Sequence, residues 1–472
     1  MTLPPNLSTS DASPESNRVS STLDRLIFAG VIALIVFTAI PYGTVDAWSE
    51  ALFECVVFTL TLLWIVDGLI EGSWRVGNLR LLWPLIALLC LAAIQSIYWW
   101  KTDLGGDQVW FAISSDPFES RIFAFRMAAL VLVAMLVTRF ASNTKRLSIL
   151  VHAIIAVALG TALFGIARQA MQHESGFILS RLQVEQGFGQ FINKNHFAFL
   201  AETALGLIIG IAFLRRGRRD RALLYLSPLL LLGAALILSR SRGGLVAVSA
   251  QSIFAALLFV NSQPRAPEDR VDKKRWTRWT RSLIVTVVAG CVLGVIIVAG
   301  IFWLDGDQLV TGVETATVEM AGGDSSEMHE SARRRDIWRA TWLMFKAHPI
   351  AGAGLGGFWA EVPVQHSASG VSTPQQVHND YLELLASGGL LGAALFVWFA
   401  VVLVRQARQS IKATEGFQRA VRLGVIISLV GLAVHSMVDF GLHVTVNALG
   451  CAILLGILST TGCQPVAAKL QA

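Results

Sequence analysis

His378 closes the one long polar stretch of this chain, about residues 304–381, and Asn379 and Asp380 follow it where an apolar run is about to begin. An imidazole titrates near neutral pH, so in such a place it can take the proton of an attacking hydroxyl as general base. The same stretch opens acidic, from Asp305 to Glu330, and then turns basic at Arg333, Arg334, Arg335 and Arg339, interleaved with Trp338 and Trp342. A second arginine pair stands in Ser239-Arg240-Ser241-Arg242-Gly243-Gly244, between two apolar runs. Guanidinium groups stay charged and present a planar fork that matches phosphate oxygens. Two such sets facing one pocket, Arg240 or Arg242 with Arg334 or Arg335, can neutralise both phosphates of a departing diphosphate without a metal ion. Supporting polar groups are Asn193, Lys194 and Asn195 ahead of one apolar run, and Asp439 and His443, with His435 and Asn447, around the last turn. Plainer readings stand beside these: caps for His378 and the asparagines, snorkelling for Arg240 and Arg242, a solvated helix start for the arginine triplet.

The elements that must hold these residues follow from bulk composition. Of 472 residues only 15% are charged, and the mean hydropathy is +0.59. That excludes a soluble globular protein and points to an all-α polytopic membrane protein. Apolar runs long enough for ~30 Å of hydrocarbon fall near 26–42, 51–71, 81–100, 121–141, 147–170, 196–214, 222–239, 243–260, 282–303, 382–404, 420–438 and 442–460. About twelve transmembrane helices are therefore expected, with one large periplasmic loop containing short helices. The layout is a disordered cytoplasmic tail over 1–24, nine helices within 25–303, the loop over 304–380, three helices within 381–460 and a tail over 461–472.

Basic clusters at 215–221 and 265–281 and the basic residues after 404 fall on one side of this arrangement, which sets both termini inside. These clusters orient the chain and meet anionic lipid headgroups, so no nucleic-acid partner is expected. The arginines at 240, 242 and 333–335 lie on the other side, against that tendency, and by default are functional candidates. Arg334, Trp338, Trp342 and Phe345 recur at helical spacing, which suits either an amphipathic helix on the membrane surface or packing against the bundle. Asp305-Gly306-Asp307 could hold a divalent cation, but three-residue patterns recur by chance, and no metal is expected. The five cysteines form no CxxC pair and read as small buried apolar residues.

The ordered set Gly189-x-Phe191-x-Asn193-x-Asn195-x-Phe197-Ala198, Ser239-Arg240-Ser241-Arg242-Gly243, Arg334 with Trp338, Pro349-x-x-Gly352-x-Gly354-x-Gly356, His378-Asn379-Asp380-Tyr381-Leu382 with Gly388-Gly389-Leu390-x-Gly392, and Asp439-Phe440 resembles the O-antigen ligase and O-antigen polymerase superfamily. The motifs cover about residues 190–450, and it is their order around the long loop that is specific. The resemblance implies a metal-independent, inverting glycosyltransferase, without cofactor, on the periplasmic face of the bacterial inner membrane. Its donor would be a glycan on undecaprenyl diphosphate and its acceptor a hydroxyl of a lipid-linked sugar, with membrane lipids around both. On this resemblance His378 falls on the family's base, Arg242 or Arg240 on one diphosphate arginine and Arg334 or Arg335 on the other. A ligase, a polymerase of lipid-linked O-antigen or exopolysaccharide repeats, and a twelve-span anion or solute transporter are the readings left open. A transporter would show paired halves and charges near the midplane, and no such repeat is evident.

Overall fold

The computed structural model describes residues 14–71, 77–104, 107–171, 182, 187–213, 219–261, 326–365 and 376–460. Within them run α1 (Pro14–Ala39), α2 (Ala47–Glu71), α3 (Trp83–Gln95), α4 (Pro117–Phe140), α5 (Thr144–Met171), α6 (Lys194–Phe213), α7 (Arg219–Leu238) and α8 (Arg242–Asn261). After them come α9 (Ser326–Ala347), α10 (Phe358–Gln365), α11 (Asp380–Lys412), α12 (Gly416–His435) and α13 (Thr445–Ser459). Among the described residues eight helices are long and apolar enough to cross a membrane, and α3, α13 and residues 224–238 of α7 are shorter apolar helices. Each apolar run expected from the sequence falls on one of these helices except 282–303, which lies outside the described residues. So do Asp305-Gly306-Asp307, most of the acidic run, the side chains of Arg333 and Arg334, the tail over 461–472 and residues 1–13 of the tail expected over 1–24, whereas residues 14–24 are helical and open α1. The chain is a multi-pass membrane protein, and the large apolar residues it exposes, such as Leu62, Leu230, Val397 and Trp398, suit a hydrocarbon surround.

The expected span at 81–100 is corrected. Its helix stops at Gln95, and Tyr98–Leu104 (β1) pairs antiparallel with Asp107–Ala112 (β2), Lys101 opposite Trp110. Tyr98, Trp99 and Trp100 count as apolar in a hydropathy window, yet aromatics favour strands, and Leu104-Gly105-Gly106-Asp107 is a hairpin signal. Trp100 stacks on Phe111 across the ladder, with ring centroids 6.4 Å apart.

At the centre α6 lies against α12 and α8. Gly206 and Gly210 of α6 meet Gly424 and Ser428 of α12 so closely that an added Cβ on either glycine would strike backbone. Small residues four apart let helices in lipid approach to backbone contact. The Ser428 hydroxyl donates across the seam to the Thr203 carbonyl at 2.8 Å.

A second constraint shapes the segment ahead of His378. Helix α11 is broken at Gly389, which adopts φ 62° and ψ −159°. The freed amides of Leu390 and Leu391 donate to the carbonyls of Pro349 and Ile350 at 2.9 and 3.1 Å, while the carbonyls of Ala386 and Ser387 accept from Ala353 and Gly354 at 3.1 and 3.0 Å. The Gly352-x-Gly354-x-Gly356 run thus docks into the break, and Gln95 of α3 ties it down by donating to Ala351 O at 2.6 Å and accepting from Leu355 N at 3.0 Å. Helix α9 packs on this assembly through Ile337, Ala340 and Met344. That face differs from the expected 334–338–342–345 stripe, since Trp338 and Trp342 stay partly exposed, Trp342 resting on Phe345. Helix α9 therefore packs through Ile337, Ala340 and Met344, and Trp338 and Trp342 of the expected stripe are left facing outward.

Two neighbouring glycines give a matched test. A Cβ on Gly388 would meet only ordinary contacts at 3.7 Å, whereas one on Gly389 would meet the Ile350 carbonyl from a left-handed backbone. Gly389→Ala is expected to cost about 1–3 kcal/mol, and Gly388→Ala little, read as thermal unfolding of the detergent-solubilised protein.

Candidate functional site

Asn379 starts α11: its side chain accepts from the amides of Tyr381 and Leu382 at 3.1 and 3.0 Å, which satisfies two of the orphan donors of a helix start. The cap is therefore Asn379, and His378, just outside the helix, is free for other work. Its backbone is left-handed at φ 55°, a conformation uncommon without glycine and worth a functional question. His378 Nδ1 lies 3.2 Å from Oδ1 of Asp439, a carboxylate fully buried while the imidazole keeps partial access. An ionised carboxylate only accepts, so the Nδ1 proton points to Asp439 and Nε2 is left as the basic nitrogen. Among the described residues no hydrogen bond engages that Nε2.

Phe440 organises the rest. Its ring takes His378 edge-on at 4.8 Å, His196 at 5.2 Å and His443 at 6.2 Å. His443 Nε2 stands 3.5 Å from both Asp380 Oδ1 and Glu383 Oε1, and its carbonyl accepts from Arg126 of α4 at 3.1 Å. Arg126 also pairs with Glu50 of α2. Asn447 Nδ2 bridges the carbonyls of His196 and Gly441 at 3.1 and 3.2 Å, which ties the last turn to the start of α6.

Asn193 lies just before α6 and Asn195 in its first turn. Asn193 accepts from the amide of Asn195 at 2.9 Å, and Asn195 Oδ1 accepts from the Ser241 hydroxyl at 2.7 Å. Ser241 is fully buried and also accepts from the amide of Gly244 at 3.2 Å, so it pins the first turn of α8. The arginines flanking it, Arg240 and Arg242, are exposed, and Arg240 again takes a left-handed backbone at φ 54°. Lys194 is exposed. From the loop side Trp338 Nε1 donates to the carbonyl of Val377 at 3.0 Å, which anchors α9 to the residue preceding His378. Arg335 is exposed on that helix.

The structure thus joins His378, Asp439 and His443 around Phe440, leaves Asn379 as the cap of α11, and joins Asn193 and Asn195 to the Arg240–Arg242 turn. Sequence reasoning passed over Glu202, Glu383, His196 and Arg126. Glu202 had a signal, an acid inside an apolar run, while Glu383 and His196 are recognisable only by what they touch.

Comparison with protein families matches residues 227–397, from α7 into α11, to the family described as O-antigen ligase. The match supports the superfamily that the ordered motifs resemble. Comparison with curated proteins gives no match.

The Asp439 carboxyl lends a pH signature. Burial alone would push it up, but the His378 hydrogen bond, the Phe440 amide and the positive ends of His378 and His196 outweigh burial and hold it below the usual carboxylate range. A depressed folded value means that its stabilisation is whole above the unfolded value of about 4 and is lost as pH falls through the folded one. The melting-temperature gap between the native protein and Asp439→Asn should hold steady down to about pH 5 and close only below about pH 4.

Proposed function

Taking the O-antigen ligase domain at residues 227–397 as premise, we propose that this multi-pass membrane protein is a glycosyltransferase of the O-antigen ligase type, working at the periplasmic face of the inner membrane. The donor is a glycan on undecaprenyl diphosphate and the acceptor a sugar hydroxyl on a lipid-linked molecule. The observation that carries this reading is the His378–Asp439 pair, whose geometry leaves Nε2 as the basic nitrogen of a partly accessible imidazole.

In the proposed step the acceptor hydroxyl attacks the anomeric carbon of the donor and its proton passes to His378 Nε2. The new carbon–oxygen bond forms as the bond to the diphosphate breaks from the opposite face, so the configuration inverts. Asp439 steadies the imidazolium that results. The electron pair leaves on undecaprenyl diphosphate, where Arg242 or Arg240 and Arg334 or Arg335 take up the charge in place of a metal ion. On this reading the segment over 304–380 lies outside the membrane and carries α9 to the site, and Asn193, Lys194 and Asn195 support the arginine turn.

His378→Asn is the cleanest test, because Asn tolerates the left-handed backbone that His378 adopts. Turnover should fall by about 10²–10⁴ with the protein level unchanged, and lipid-linked glycan should accumulate as in a deletion strain. Long accumulated chains mean a lost ligase, single repeats a lost polymerase; a native glycan profile would make His378 a mere turn residue and remove the mechanism. Arg242→Ala should lower kcat/KM by about 10-fold to 10³-fold, measured with glycan donor extracted from the deletion strain.

A further inference from the structure

Glu202 of α6 and His435, the last residue of α12, are both fully buried, and His435 Nδ1 lies 2.7 Å from Glu202 Oε1. The imidazole stacks on Phe199, centroids 4.1 Å apart and planes 17° from parallel. Its Nε2 looks at the start of α8, where a Cβ on Gly243 would come within 2.5 Å of it. Among the described residues neither that Nε2 nor Glu202 Oε2 has a hydrogen-bond partner.

An acid and an imidazole in such surroundings cost more than an apolar pair of the same volume, and they persist where the geometry they impose is needed. That geometry is visible in the backbone. The His435 carbonyl accepts from the amides of Val438 and Asp439 at 2.9 and 3.1 Å, and the Ser436 carbonyl accepts from Asp380 at 3.0 Å. The turn that delivers Asp439 to His378 therefore begins at His435, and the first residue of α11 is hung on the residue after it. One residue borders the arginine turn at Gly243 with its ring and begins, with its carbonyl, the turn that carries the carboxylate.

We infer that Glu202 and His435 form a positioning pair, which sets Asp439 against His378; the inference rests on the glycosyl-transfer reading above. Glu202 fixes the ring by accepting from Nδ1. The ring in turn gives α8 a flat surface on which only a glycine can seat. Neither residue touches the reacting atoms, so the pair acts on turnover and not on donor affinity.

The test uses the full-length protein in lipid nanodiscs, with undecaprenyl-diphosphate-linked glycan and lipid A–core extracted from the deletion strain. Glu202→Leu should lower kcat at least about tenfold while KM for the donor stays within about twofold. Glu202→Gln, which keeps an oxygen for the Nδ1 proton, should retain about half of native turnover or more. Gly243→Ala, pressing on Nε2 from the other side, should reproduce the loss seen with Glu202→Leu. Native turnover in Glu202→Leu or Gly243→Ala overturns the inference, as does a loss in Glu202→Leu and Glu202→Gln alike that follows the folded fraction. If Glu202→Leu does not accumulate, Gly243→Ala and Glu202→Gln decide by the same criteria. His378→Asn in the same assay separates the two claims: native turnover there removes the underlying reading, whereas an inactive His378→Asn beside a native Glu202→Leu removes the positioning pair alone.

Discussion

The contact between Gly206 and Gly210 of α6 and Gly424 of α12 is the constraint on which the rest of the molecule depends. In lipid there is no hydrophobic gain in bringing two helices together, so close approach must come from small residues and from hydrogen bonds made across the seam. Here the glycines supply the approach, and Ser428 adds a hydrogen bond to the Thr203 carbonyl. One turn further along, the same register places Glu202 against His435. From there the chain turns to Asp439 and on to His378. A residue larger than glycine in the seam would separate the backbones and move the carboxylate with them.

The second anchor is of a different kind. Where α11 breaks at Gly389, four backbone groups that a continuous helix would satisfy internally are instead paired with the 349–354 segment. A buried break without such partners would leave backbone groups unpaired at a cost of several kcal/mol each. The glycine run is the only kind of sequence that can lie so close, since a side chain at Gly352 or Gly389 would meet main chain. Helix α9 then rests on this joint and reaches the His378 turn through Trp338. The site is thereby held from both sides, by the α6–α12 seam beneath and by the docked loop above.

Much of this was legible in the sequence, and the residues that were not share a reason. Helices announced themselves as apolar runs, Asn379 as a cap and His378 as the residue at the end of the polar stretch. Residues 98–100 of the hairpin read as the end of a span because tyrosine and tryptophan are counted with apolar residues, while their strand preference acts only once a partner strand is present. The Glu202–His435 pair joins residues 233 positions apart, and no local window contains both. Left-handed backbone at Arg240 and His378 was equally hidden, because the residue types that usually signal it, glycine and asparagine, are absent at both places. Glu202 itself is readable, a lone acid in an otherwise apolar run.

The seam also has a history in time. Ribosomes add about 5–20 residues per second, and 233 positions separate Glu202 from the histidine that satisfies it. Helix α6 must therefore spend roughly 10–50 s at that rate in the insertion machinery or the bilayer before its partner has been made. During that interval its acid and its exposed glycine stripe have nothing native to meet. The nascent chain at this stage is a natural client for membrane chaperones and quality-control proteases, and the arrival of α12 is the event that ends its vulnerability.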